Sequence, residues 1–94
     1  MSNFNLSPCT SQKSFYGKAI VKPVNESSFI LQSYKTDVCK LFWIDGNAYF
    51  IQLWGGYSDT TLKHINSFLS FFGFPQYGGK KWWDNLPYGE AVKL

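Results

Sequence analysis

Two runs rich in β-branched and aromatic residues, Thr36 to Ile44 and Ala48 to Trp54, are separated by little more than Asp45-Gly46. A tight hairpin loop needs positive φ at both central positions to match the twist of its strands. Asp followed by Gly tolerates that conformation at low cost. This dipeptide commits the middle of the chain to an antiparallel hairpin, and the rest of the molecule has to pack on it.

Upstream, Phe15, Gly17, Ala19 and Val21 alternate with Tyr16, Lys18, Ile20 and Lys22, a period-2 pattern that predicts a first strand from near Ser14. Pro23 is expected to stop it, because proline cannot donate to a ladder. Ser28 to Tyr34 continues through Thr36 to Ile44 as one long strand kinked near Lys35, and Ala48 to Trp54 returns from the hairpin until Gly55-Gly56. The period then changes to 3.6. Ser58 or Asp59 supplies an N-cap, and Leu62, Ile65, Phe68, Leu69 and Phe72 share one face of a helix from Asp59 to about Phe72. Gly73 suits the left-handed position after the last turn and Pro75 forbids resumption. The expected fold is α+β: a three-stranded, mainly antiparallel sheet with one amphipathic helix on one face (β-β-β-α) and an aromatic C-terminal tail. Residues 1–13, polar with a proline, read as a flexible leader, and 14–94 as one domain, the tail holding one short helical turn near Trp82 to Leu86.

A fifth of the 94 residues are Phe, Trp or Tyr, more than a core of this size needs, so some rings are expected on the surface. All nine basic residues are lysine. Without arginine the planar fork used to read guanine and to clamp phosphate is missing, and against six acids the net charge is only +3. Dedicated sequence-specific DNA binding is thereby disfavoured, and weak attraction for polyanions remains. The polar start carries no basic-then-apolar signal segment, and no apolar run approaches the length of a membrane helix. Cys9 and Cys39 are therefore expected as reduced thiols in a cytoplasmic protein. With one histidine they form no set of zinc ligands, and no cofactor or metal is expected.

Among candidate catalytic groups, His64 reads first as a structural residue. A Cys39–His64 dyad would need the two within hydrogen-bond reach and an orienting acid. The carboxylates Glu26, Asp37, Asp45, Asp59, Asp84 and Glu90 are scattered, and Gly55-Gly56 lacks the rest of a phosphate-loop pattern. The most unusual segment is Tyr77-Gly78-Gly79-Lys80-Lys81-Trp82-Trp83. Lysines abutting tryptophans combine charge with large flat surfaces, the residue types that anchor interfaces or stack on unpaired bases. Tyr77, Lys80, Lys81, Trp82 and Trp83 are the predicted partner-binding residues. Adjacent tryptophans point different ways, so one inside and one outside is the expectation. A second surface is the sheet face away from the helix, carrying Trp43 or Phe42, Tyr49 or Phe50, and Trp54 according to the parity of the strands.

Ser14-Phe15-Tyr16-Gly17-Lys18-Ala19, Ser33-Tyr34-Lys35-Thr36-Asp37-Val38, the stretch from Gly56-Tyr57-Ser58-Asp59-Thr60-Thr61 to Phe68-Leu69, and Gly79-Lys80-Lys81-Trp82-Trp83 carry a resemblance. Over about residues 14–86 the chain resembles a small domain of unknown function common in phages and prophages of low-GC Gram-positive bacteria. The resemblance implies no catalytic residues. It implies a non-enzymatic inhibitor of a host defence component, of anti-CRISPR type, acting by steric occupation of a host protein or ribonucleoprotein such as a CRISPR nuclease in the bacterial cytoplasm. Two alternatives accompany it: a weak single-stranded nucleic-acid-binding accessory protein, and a homodimer formed through the open sheet face.

Overall fold

The computed structural model describes residues 2–6, 18–56 and 58–94. Their elements are β1 (Phe4–Asn5), β2 (Ala19–Asn25), β3 (Ser28–Ser33), β4 (Thr36–Ile44), β5 (Asn47–Gln52), α1 (Asp59–Phe71), α2 (Lys80–Asp84) and β6 (Ala91–Lys93). The strands form one six-stranded antiparallel meander in chain order, with α1 across one face.

The expected α+β class holds, but the three-stranded sheet is corrected to six strands for three physical reasons. The run from Ser28 to Ile44 is two strands, because Tyr34 adopts φ 57 and folds the chain back so that Ser33 pairs with Thr36. Phe4–Asn5, in the segment read as a leader, pairs with Val21 and Ile20, and Leu6 enters the core at 2% exposure. Ala91–Lys93, in the aromatic tail, closes the far edge on β5. Pro23 does not end β2. It pairs with Phe29 beyond the last residue that β1 reaches, so its missing N–H costs the sheet nothing on that side. The predicted start of that strand at Ser14 to Gly17 lies outside the described residues.

The hairpin forms as its dipeptide dictates, with Asp45 at φ 51 and Gly46 at φ 81. The helix starts at Ser58, whose Oγ accepts from Thr61 N at 3.1 Å. It ends with Gly73 at φ 90, where Phe74 N donates to Leu69 O at 2.8 Å. Leu62, Ile65, Phe68 and Leu69 of α1 close over Ala19, Val21, Leu31, Cys39, Leu41 and Phe50 of the sheet. A register shift between Leu31 and Gln32 lets both Val38 and Cys39 join that core.

Candidate functional site

The tail cluster is built on one residue of α1. Asn66 Oδ1 accepts from Gly79 N at 2.9 Å, and a Cβ on Gly78, which holds φ 113, would overlap that oxygen. Glycine is required there for the backbone to come close enough to be held. The turn delivers Lys80–Asp84 as a short helix whose two tryptophans part. Trp83 is 1% exposed, its Nε1 donates to Gly56 O at 2.9 Å, and its own carbonyl accepts from Gln52 Nε2 at 2.9 Å. Trp82 is half-buried, tilted on Phe50 at 5.0 Å and on Tyr77 at 5.8 Å. Lys80 and Lys81 are exposed. Of the five predicted partner-binding residues, Trp83 is therefore part of the interior. Tyr77 and Trp82 form a half-covered aromatic shelf, and the two lysines stand at its edge.

The other face of the sheet carries a pattern that the parity question left open. Phe42 and Tyr49 point away from the helix, whereas Trp43 and Phe50 pack toward it. Strand register sets the outward side chains in rows. One runs Lys22, Ile30, Lys40, Ile51, Ala91 across five strands, and the next runs Ser28, Phe42, Tyr49, Lys93 across four. Phe42 and Tyr49 stack at 5.5 Å, and the Lys40 ammonium lies 5.4 Å from the Phe42 ring centre. Lys22 pairs with Asp37. Ile20, Ile30, Phe42, Tyr49 and Ile51 are partly buried yet lie outside the core cluster, and no described element covers them. At about 4.8 Å per strand the face spans roughly 24 Å across its six strands. The lysines of this face were missed from the sequence, although Lys40 and Phe42 share a parity that placed them together.

His64 lies in the interior at 0% exposure, and its Nδ1 is 2.7 Å from Ser33 Oγ. Ser33 Oγ is 3.2 Å from Thr61 Oγ1, which accepts from Ser58 Oγ at 3.0 Å. Burial, and then the Lys18 charge, lower the His64 pKa from 6.5 to about 4, so the ring is neutral at physiological pH. Cys39 is fully buried and its thiol is pushed well up by that burial, against a smaller opposing pull from a hydrogen bond with the Leu31 backbone. A protonated, sealed thiol is a core residue rather than a nucleophile, and the imidazole Nδ1 is directed to Ser33. Cys9 lies outside the described residues, among which no group of three or more His, Cys, Asp or Glu side chains is placed to hold a metal ion. No helix among the described residues is long and apolar enough to cross a membrane.

A family model matches residues 4–85, and the chain belongs to that family, described as a Family of unknown function (DUF8033). The match takes in β1 through α2 and so includes the tail cluster and the outward rows as far as β5, with Ala91 and Lys93 of β6 beyond it. No curated protein and no solved structure matches the chain.

Proposed function

We propose that this DUF8033 member is a non-catalytic binding protein that occupies a working surface of a macromolecular target, as a phage or prophage inhibitor of a host defence and of anti-CRISPR type. The observation that carries the binding reading is the outward sheet face, where Ile30, Ile51, Phe42 and Tyr49 alternate with Lys22, Lys40 and Lys93 without a described element over them. Partly desolvated rings and aliphatic chains supply the apolar centre of an interface. The lysines between them favour an acidic protein surface or the backbone of a ribonucleoprotein and steer its approach. The mobile-element context comes from the resemblance of the sequence motifs. The exposed Lys80 and Lys81 beside Tyr77 and Trp82 form a second contact region on the opposite side.

The test is a plasmid-interference assay in cells carrying an RNA-guided nuclease, with the chain co-expressed. Plasmid survival is expected with the native chain and its loss with Lys40→Glu/Phe42→Ser, both proteins being equally folded. Full interference in the presence of the native chain, across nuclease types, refutes the anti-CRISPR reading. The alternative, a single-stranded nucleic-acid accessory protein, is favoured by the lysines at the Trp82 shelf. It predicts affinity for an oligonucleotide that falls steeply with salt, which an apolar-centred protein interface does not.

A further inference from the structure

Ser33, Tyr34, Thr36 and Val38 of the β3–β4 hairpin enclose, with Trp54 and the start of α1, a cavity of about 310 Å³. That is at the lower end of the roughly 300–1,000 Å³ of small-ligand sites. It opens at one end of the sheet, and neither the outward rows nor the tail cluster lines it.

Two of its walls are aromatic, and Tyr34 is held at a structural cost. Tyr34 sits at φ 57, is 47% exposed, and tilts its ring on His64 at 5.7 Å. Glycine or asparagine meets such a turn without strain, so the turn alone does not account for a bulky ring at the rim. Trp54 packs close to its own chain where residue 56 is glycine: a Cβ there would stand 3.0 Å from the indole Cζ2.

A third wall is a string of hydroxyls. Ser58 Oγ donates to Thr61 Oγ1, Thr61 Oγ1 meets Ser33 Oγ, and Ser33 Oγ meets His64 Nδ1 of a ring that burial keeps neutral. A hydroxyl both gives a proton and accepts one, and Thr36 adds another to the same lining, so the wall can hydrogen-bond an occupant in either sense. Among the described residues no charged side chain lines the cavity, which favours an uncharged ring. Two exposed lysines neighbour Tyr34, Lys35 next to it in sequence and Lys18 through its carbonyl, which accepts from Tyr34 N at 2.7 Å. Asp59, exposed next to Ser58, is the neighbouring acid.

We propose that this cavity receives one neutral, planar heteroaromatic base of nucleobase type, set against Tyr34 and Trp54 and hydrogen-bonded by the Ser33, Thr36 and Thr61 hydroxyls. The base comes either from a free nucleoside or from a single unstacked position of a strand, whose phosphates Lys18 and Lys35 would meet. The site is independent of the sheet face, so either can fail without the other.

The test is an amide and indole NMR titration of the full chain with adenosine, cytidine and uridine, and with short oligo(A) and oligo(U) strands. Saturable shifts are expected at Ser33, Tyr34, Thr61 and the Trp54 indole, and not at Phe42 or Tyr49. Equal affinity for nucleoside and strand assigns the free ligand, and binding of the strand alone assigns the unstacked base. Tyr34→Gly relieves the backbone and so folds, and should weaken binding at least about fivefold, the lower bound for one base–aromatic stack. Thr36→Val, which keeps the shape and removes a hydroxyl, should weaken it as well. Absence of any saturable shift, shifts confined to the outward face, or undiminished binding by Tyr34→Gly overturns the assignment.

Discussion

The two adjacent tryptophans of α2 are chemically identical and should respond to truncation very differently. Trp83 is 1% exposed, packs edge-on against Phe50 at 6.3 Å, and hydrogen-bonds Gly56 O through Nε1. Trp83→Ala removes a fully buried indole and costs about 3–5 kcal/mol, a large part of the roughly 5–15 kcal/mol that stabilises a domain of this size. At about 4–8 °C per kcal/mol the melting temperature falls by roughly 12–40 °C. Trp82 is half-buried on Phe50 and Tyr77, so Trp82→Ala should lose no more than about half of that energy. Trp83→Phe isolates the N–H bond to Gly56 and should cost about 1 kcal/mol from that bond, with a further contribution from the smaller ring. Thermal melts by circular dichroism and urea midpoints measure all three. If Trp83→Ala melts within a few degrees of Trp82→Ala, the indole is not the keystone that links α2 to the Gly55-Gly56 turn, and the reasoning fails. The same contrast decides how binding data are read. Loss of a partner in Trp83→Ala reports unfolding, whereas loss in Trp82→Ala with a normal melt reports contact.

Gly78→Ala should cost roughly 2–4 kcal/mol, because φ 113 is a region that side chains avoid and the new Cβ displaces the Asn66 oxygen that holds Gly79. Gly46→Ala, with φ 81 and open space around the new methyl, should cost only about 1–2 kcal/mol, and urea midpoints of the two compare them directly. His64 is held at about 4 against 6.5 when unfolded, first by burial and then by Lys18. Between those values the unfolded chain binds a proton that the folded chain refuses, so stability present above about pH 6.5 is lost as pH falls toward 4, by at most about 3 kcal/mol. His64→Phe should flatten that part of the difference between urea midpoints at pH 7 and pH 4.5, and an unchanged slope refutes it. Lys40→Glu/Phe42→Ser should cost about 1–2.5 kcal/mol, the Phe42–Tyr49 stack and the Lys40 cation–π contact together, since both side chains lie outside the core. Equilibrium unfolding checks that, and a larger loss would mean the face is structural.

The parts of the fold legible in the sequence were those specified by neighbouring residues. Asp45-Gly46 set the central hairpin, Ser58 and Gly73 set the ends of α1, and the 3.6-period apolar stripe set which face of the helix is buried. Two of the three additional strands were set by contacts distant in sequence, and the third by the local turn at Tyr34. Phe4–Asn5 is too short to show a period and becomes a strand only because the β2 backbone offers a ladder. Ala91–Lys93 does so on β5. The Tyr34 turn carries no glycine, asparagine or proline, so nothing local announced it. At the site, the residue types that could make contact were readable but not their direction. Adjacent tryptophans had to diverge, yet only the Gly56 carbonyl and Gln52 decide that Trp83 goes inward. The Lys–Ile–Lys–Ile row is invisible to a linear reading, because its members come from four different strands and meet only once register is fixed.

The rows and the tail cluster lie on opposite sides of one sheet, since Trp82 rests on Phe50, which faces the helix, while Tyr49 and Ile51 on the same strand face away. A flat partner can therefore cover one of these surfaces but not both. Charge decides which partners suit the larger one. Two copies joined through it would gather the Lys40 and Lys93 charges of both into one interface, and Asp37, the acid beside these rows, is already paired with Lys22. Like charges brought together across an interface cost several kcal/mol. Self-association through this face is thus opposed by the lysines that favour an acidic partner, and the alternation of cation and apolar side chain gives that partner both an attraction at long range and an apolar surface to bury on contact.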